Sequence, residues 1–131
     1  MERWVSGKIG KGLEYTMRIK IVGPCASGKS VLAASLRELG YDTRTAAQDH
    51  SYVPDMWQRL NPPDILVYLD VTLEAAWQRG RTGPGWDQKY LDEQHHRLRH
   101  ARAHCHLYVP TGDLTEEEVL ARVLAFLAQR A

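Results

Sequence analysis

Gly23-Pro24-Cys25-Ala26-Ser27-Gly28-Lys29-Ser30 fills every fixed position of the pattern G-x-x-x-x-G-K-[ST]. The flanks give the match its weight. Residues 18–22 alternate and then turn apolar, as a short strand does. Residues 28–39 carry Leu32, Leu36 and Leu39 at i, i+4 and i+7, one helical face, and Gly40 is a good stop. A strand, a glycine-bearing turn and a helix in that order make an anion cradle. Gly23 and Gly28 permit backbone angles that other residues resist. Successive N–H groups can then turn inward, and the helix N-terminus adds its positive end. The sequence therefore predicts that Gly23, Cys25, Ala26, Ser27, Gly28, Lys29, Ser30 and Val31 hold an oligophosphate. Lys29 is expected on the β- and γ-phosphates, and the Ser30 hydroxyl as a Mg²⁺ ligand. The expected ligand is a nucleoside triphosphate, ATP or GTP, with Mg²⁺.

Downstream, residues 41–47 read as a weaker strand rich in Thr and Ala, and residues 54–60 as a helical turn ended by Asn61-Pro62-Pro63. Ile65-Leu66-Val67-Tyr68-Leu69 is a continuous apolar run closed by Asp70, the pattern of a strand buried on both faces of a parallel sheet. A helix over 73–79, a glycine loop over 80–85, one long polar helix over 87–103 and a last strand over 106–109 follow. Thr115 and Glu118 spell a capping box. The helix behind it buries Val119, Leu120, Val123, Leu124 and Leu127, with acids at its start and Arg130 at its end. Strands alternating with helices predict an α/β protein: a three-layer α/β/α fold with a mostly parallel sheet of four to five strands.

Residues 1–16 differ, with Ser6-Gly7-Lys8-Ile9-Gly10-Lys11-Gly12 showing little apolar periodicity. They read as a flexible or accessory segment ahead of a nucleotide-binding domain over 17–131. An added edge strand, or an upstream extension before a start at Met17, are the alternatives.

The chain has 131 residues, the size of one domain, with 44% hydrophobic and 25% charged residues, an ordinary globular composition. A net charge of +1 gives no global attraction to nucleic acid or membrane. Two distant cysteines, Cys25 and Cys105, make neither a disulfide framework nor a CxxC pair. The apolar run 65–69 is too short to span a bilayer, and residues 1–16 lack a signal-peptide core. Cytoplasm is the expected compartment.

From Met17 to Ala131 the chain resembles the P-loop kinase group, the nucleoside, nucleotide and shikimate kinase-like proteins. The resemblance rests on the loop and on the run Ile65 to Asp70 followed by Glu74 and Arg79. It rests also on Arg79 and Arg81 ahead of Gly83-Pro84-Gly85, and on Thr111-Gly112-Asp113-Leu114-Thr115 before the last helix. It implies a phosphotransferase, an ATP-dependent kinase whose acceptor is a nucleoside, a nucleotide or a similar hydroxyl compound. It implies a lid around residues 79–90, in which Arg79 and Arg81 neutralise charge on the transferred group. Solvated helix-end cations are the plainer account of both arginines. Related kinases place a carboxylate after the second strand, near Mg²⁺ and the acceptor. Asp49 stands there, as general base or metal partner, or as a turn-forming Asp. Residues 49–57 are then the expected acceptor wall, with Met56 and Trp57 equally readable as core. A nucleotide-binding regulatory module and a slow NTPase acting on a partner protein are the readings from other classes.

Three further features have two readings each. Asp70 ends a buried strand at the edge where such sheets bind ligands, or caps the next helix. Cys25 sits near a helix N-terminus that can lower a thiol pKa, or is a small filler. His96, His100 and His104 fall on one helical face among Arg97, Arg99 and Arg102, with His95 and His106 nearby. This is a solvated face, a phosphate or nucleic-acid contact, or a metal site opposed by its own cations.

Overall fold

The loop strand β3 (Arg18–Val22) is central in a four-stranded parallel sheet with β4 (Asp42–Thr45), β5 (Ile65–Asp70) and β6 (Leu107–Pro110). The computed structural model describes the backbone of residues 6–9 and 13–130 and the side chains of residues 17–130. Strand order is β4-β3-β5-β6. The chain leaves β3 to one side for β4, then crosses to the other side for β5. The carboxyl ends of β3 and β5 therefore meet at a topological switch point, the crevice where open α/β sheets take ligands. Register aligns Ile19 with Ile65 and Val22 with Tyr68.

Alternation along the strands builds three layers. Ile19, Ile21, Val67 and Leu69 pack on one face against Leu32 and Leu36 of α1 (Lys29–Glu38) and Val119, Val123 and Leu127 of α6 (Glu116–Gln129). Val22, Leu66 and Tyr68 pack on the other against Trp57 of α2 (Met56–Arg59) and Ala101 of α5 (Arg99–His104). The capping box at α6 forms as its sequence predicts: Thr115 Oγ1 accepts from the Glu118 N–H, and Glu118 Oε1 accepts from the Thr115 N–H.

One expectation is corrected. The polar stretch 87–103 is two helices, α4 (Gln88–Arg97) and α5, that meet at Leu98. Leu98 is fully buried, so packing on the sheet bends the path that a single straight helix would have taken. In the N-terminal segment, β1 (Ser6–Ile9) and β2 (Leu13–Thr16) pair antiparallel with each other and do not extend the main sheet. Gly10-Lys11-Gly12 of that segment lies outside the described residues. A short helix α3 (Leu73–Gln78) completes the elements after β5.

Candidate functional site

The turn out of β3 is shaped by backbone crowding. A Cβ on Gly23 would stand 2.0 Å from the Leu69 carbonyl oxygen of the neighbouring strand, so only hydrogen fits there. Ala26 and Gly28 take positive φ, 68° and 96°, which curls the loop over the start of α1. That helix begins at Gly28 with no side-chain cap, which leaves its first N–H groups for another acceptor. The Ser27 hydroxyl is buried without a hydrogen-bond partner. An uncapped helix start beside an orphaned buried hydroxyl is an environment that an anionic oxygen satisfies.

Lys29 folds back over the loop. Its ammonium donates to the Gly23 carbonyl and lies 3.3 Å from Asp49 Oδ1. Asp49 sits in a 3₁₀ turn, Gln48–His50, and is buried. The turn is held by Gln48, whose amide accepts from the Trp57 N–H and donates to the carbonyls of Val53 and Arg97. Arg97 donates in turn to the Asp49 carbonyl. Two elements distant in sequence therefore place this carboxylate against the loop lysine.

One open cavity of about 820 Å³ joins these parts. Its wall includes Cys25, Ala26, Ser27, Gly28, Lys29, Ser30 and Val31 of the loop, with Asp49, Arg79 and Arg81. Of the loop residues read from sequence, Gly23 is not on this wall; it shapes the turn from behind. Arg79 is already docked, donating to the carbonyls of Ala26 and Thr111. The Thr111 hydroxyl lies 3.1 Å from the Ser27 carbonyl and 2.9 Å from that of Asp70, tying the loop to the end of β5. Arg81 lines the cavity and is exposed. Trp86 also lines it, its carbonyl accepting from the Trp77 indole N–H.

The acceptor-wall segment divides. Asp49 and His50 reach the cavity, Trp57 is core, and Tyr52 (83% exposed) and Met56 face outward. Asp70 is not the helix cap: Thr72 caps α3 by accepting from the Ala75 N–H. The Asp70 carboxylate instead meets His95 Nε2 at 2.8 Å and accepts from the Tyr108 hydroxyl at 2.6 Å. Burial pushes the Asp70 carboxyl up, but these bonds and that from the Val71 N–H outweigh it and hold it below the usual range. The bond to Asp70 raises His95.

The expectation of a lowered Cys25 pKa is also corrected. Burial first, then the charge of Asp49, push the thiol up. Cys25 Sγ lies 3.4 Å from Asp49 Oδ2 and 3.4 Å from His50 Nε2. The histidines of α4 and α5 make separate contacts. His100 Nδ1 accepts from the Trp57 indole and stacks on His104, while His106 Nδ1 accepts from the Leu66 N–H.

Sequence reading passed over Gln94, the bridging role of Thr111 and the meeting of His50, read as acceptor wall, with Cys25. Gln94 is buried and accepts from the Cys25 N–H at 2.9 Å. Its signal was available: Leu91, Gln94 and Leu98 share the inward face, where a polar residue needs a partner.

Comparison with known proteins shows the fold. No family profile and no curated protein matches the chain. Among solved structures, the YorR protein of Bacillus subtilis, crystallised in complex with phosphorylated GDP, superposes with a TM-score of 0.60 at 14% identity. The match covers 87% of this chain and 97% of that one. Both share the layered α/β architecture with a mostly parallel sheet. Among the described residues no helix is long and apolar enough to cross a membrane.

Proposed function

We propose that this chain binds the triphosphate of ATP or GTP with Mg²⁺ and transfers the terminal phosphoryl group to a small hydroxyl compound, a nucleoside or nucleotide being the first candidates. One observation carries the reading: loop, Lys29, Asp49, Arg79 and Arg81 surround a single cavity at the switch point of the sheet. Backbone N–H groups at the uncapped start of α1 take phosphate oxygens. Lys29 supplies a cation that can move from Asp49 to the phosphates. Ser30, exposed in the first turn, and Asp49 are the residues suited to Mg²⁺, whose charge would offset that of the β- and γ-phosphates. Where Asp49 is not a metal partner, it is the carboxylate that would take the acceptor's proton. Arg81 and the mostly exposed residues 79–90 form the lid, whose closure would keep water from the phosphoryl group. The nucleotide in the YorR complex supports the ligand class.

A binding module without turnover is the second reading. It is favoured by the ion pair itself, because Lys29 already occupies the carboxylate that would have to reach an acceptor hydroxyl. Calorimetry with ATP and GTP at millimolar magnesium tests binding. ADP release with and without a panel of nucleosides and nucleotides tests transfer. Acceptor-stimulated release supports the kinase, tight binding without release the module, and no heat with either nucleotide ends both.

A further inference from the structure

Beside the phosphate loop, three side chains of different chemistry converge on one another. Cys25 Sγ, Asp49 Oδ2 and His50 Nε2 form a triangle with sides of 3.4, 3.4 and 3.3 Å. It is the one group of three or more His, Cys, Asp or Glu ligand atoms so gathered among the described residues. We propose that Cys25, Asp49 and His50 are three ligands of a Zn²⁺-class divalent metal, bound at the cavity wall with its fourth position open.

The dimensions fit. With Zn–S of about 2.3 Å, Zn–N and Zn–O of about 2.1 Å and tetrahedral angles, the corners of one ligand face stand about 3.4–3.6 Å apart. The observed triangle needs shifts of only a few tenths of an ångström. Its chemistry fits too: thiolate, imidazole and carboxylate are the zinc donor set.

The geometry opposes the two other uses of such a trio. In a nucleophilic relay the histidine contacts the thiol with one ring nitrogen and the carboxylate with the other. Here both approach the same Nε2. As a hydrogen-bond cluster the trio is poorly satisfied. Asp49 is buried, yet the one hydrogen bond to its carboxylate among the described residues comes from a thiol, a weak donor. Oδ1 has no hydrogen-bond partner, its approach to Lys29 lacking the alignment of one. Beyond its ion pair with Lys29, a buried carboxylate with one weak hydrogen bond keeps lone pairs free to coordinate.

The surroundings hold the ligands in place. Gln94 accepts from the Cys25 N–H, its amide N–H₂ lies 3.6 Å from Cys25 Sγ, and the Tyr90 hydroxyl is 4.0 Å away. Arg97 fixes the Asp49 backbone. Such outer contacts orient metal ligands. All three ligands line the cavity, so a bound phosphate or acceptor can reach the open position.

The test uses full-length protein stripped with chelator and titrated without nucleotide, so that it succeeds or fails apart from the phosphate-binding reading. Co²⁺ is the spectroscopic probe and Zn²⁺ the competitor. The expected result is one metal per chain, a near-ultraviolet thiolate-to-cobalt band, and displacement by Zn²⁺. Cys25→Ser should abolish the band. His50→Ala, at a half-exposed side chain, should weaken Zn²⁺ binding at least about tenfold. His100→Ala with His104→Ala should leave both unchanged. Absence of binding, cobalt binding without a thiolate band, or binding lost only in the His100/His104 variant overturns the proposal.

Discussion

Lys29 Nζ stands 3.3 Å from Asp49 Oδ1 while donating to the carbonyl of Gly23, so one ammonium serves both the loop backbone and a buried acid. The pair couples binding to stability, and the two can be separated. Lys29→Ala removes the phosphate cation and leaves Asp49 buried without it. Nucleotide affinity should fall about a hundredfold, and unfolding free energy by about 2–4 kcal/mol. Adding Asp49→Asn should recover most of the stability and none of the affinity. Urea unfolding and calorimetry on the same two proteins check this. Equal recovery of both quantities would show that the lysine acts on the ligand only through the fold.

Gly23 is held by crowding with the neighbouring strand. Its missing Cβ would lie 2.0 Å from the Leu69 carbonyl, an atom that cannot swing aside. Gly23→Ala should cost about 1–3 kcal/mol by overpacking and distort the turn that carries the loop amides. Gly83→Ala, at φ 103° with nothing within 4 Å of the added carbon, carries backbone strain alone and should cost less. Chemical denaturation of the two variants gives the comparison, and a Gly23→Ala protein as stable as wild type sinks it.

Stability should depend on pH through His95 and Asp70. The folded-state pKa of His95 is raised, chiefly by its bond to Asp70, so its contribution is complete below the unfolded value of about 6.5. It is lost as pH rises through the raised folded value. Asp70 is held below the usual carboxylate range, so its contribution is present above about pH 4 and lost as pH falls through the depressed value. The denaturation midpoint should therefore be highest between about pH 4 and 6.5 for this pair and decline above it. Asp70→Asn should flatten the upper limb and lower the His95 pKa read by NMR. A midpoint that is level from pH 6 to 8 contradicts the assignment.

Gln94 joins α4 to the loop through the Cys25 N–H. Gln94→Leu keeps the bulk and leaves that N–H unpaired, which should cost about 1–3 kcal/mol. Hydrogen exchange at Cys25 should quicken while that of β5 stays slow. Unchanged exchange at Cys25 would mean that the loop holds its shape without α4.

The layered fold was legible because its signals are local. The loop pattern, the leucine spacing of α1, the apolar run of β5 and the Thr115/Glu118 capping box each sit within a few consecutive residues. The break at Leu98 was not, since it comes from packing on a sheet distant in sequence. The same divide runs through the site. The loop could be read directly, and Asp49 could be placed after the second strand. Its companions Cys25 and His50, 24 residues and one residue away, meet only when a 3₁₀ turn folds over the loop. The cap reading of Asp70 failed because its partners, His95 and Tyr108, lie 25 and 38 residues downstream.

Thr111, beyond the last strand, holds carbonyls from both Ser27 and Asp70. The turn after β3 thus acquires its final shape from a residue synthesised 84 positions after Ser27. A growing chain cannot be loaded early, and a truncation before β6 should forfeit the ligand even with its glycines intact. Conversely, an occupied loop should slow fraying at the sheet margin formed by β6, since ligand binding stabilises whatever the binding-competent state requires.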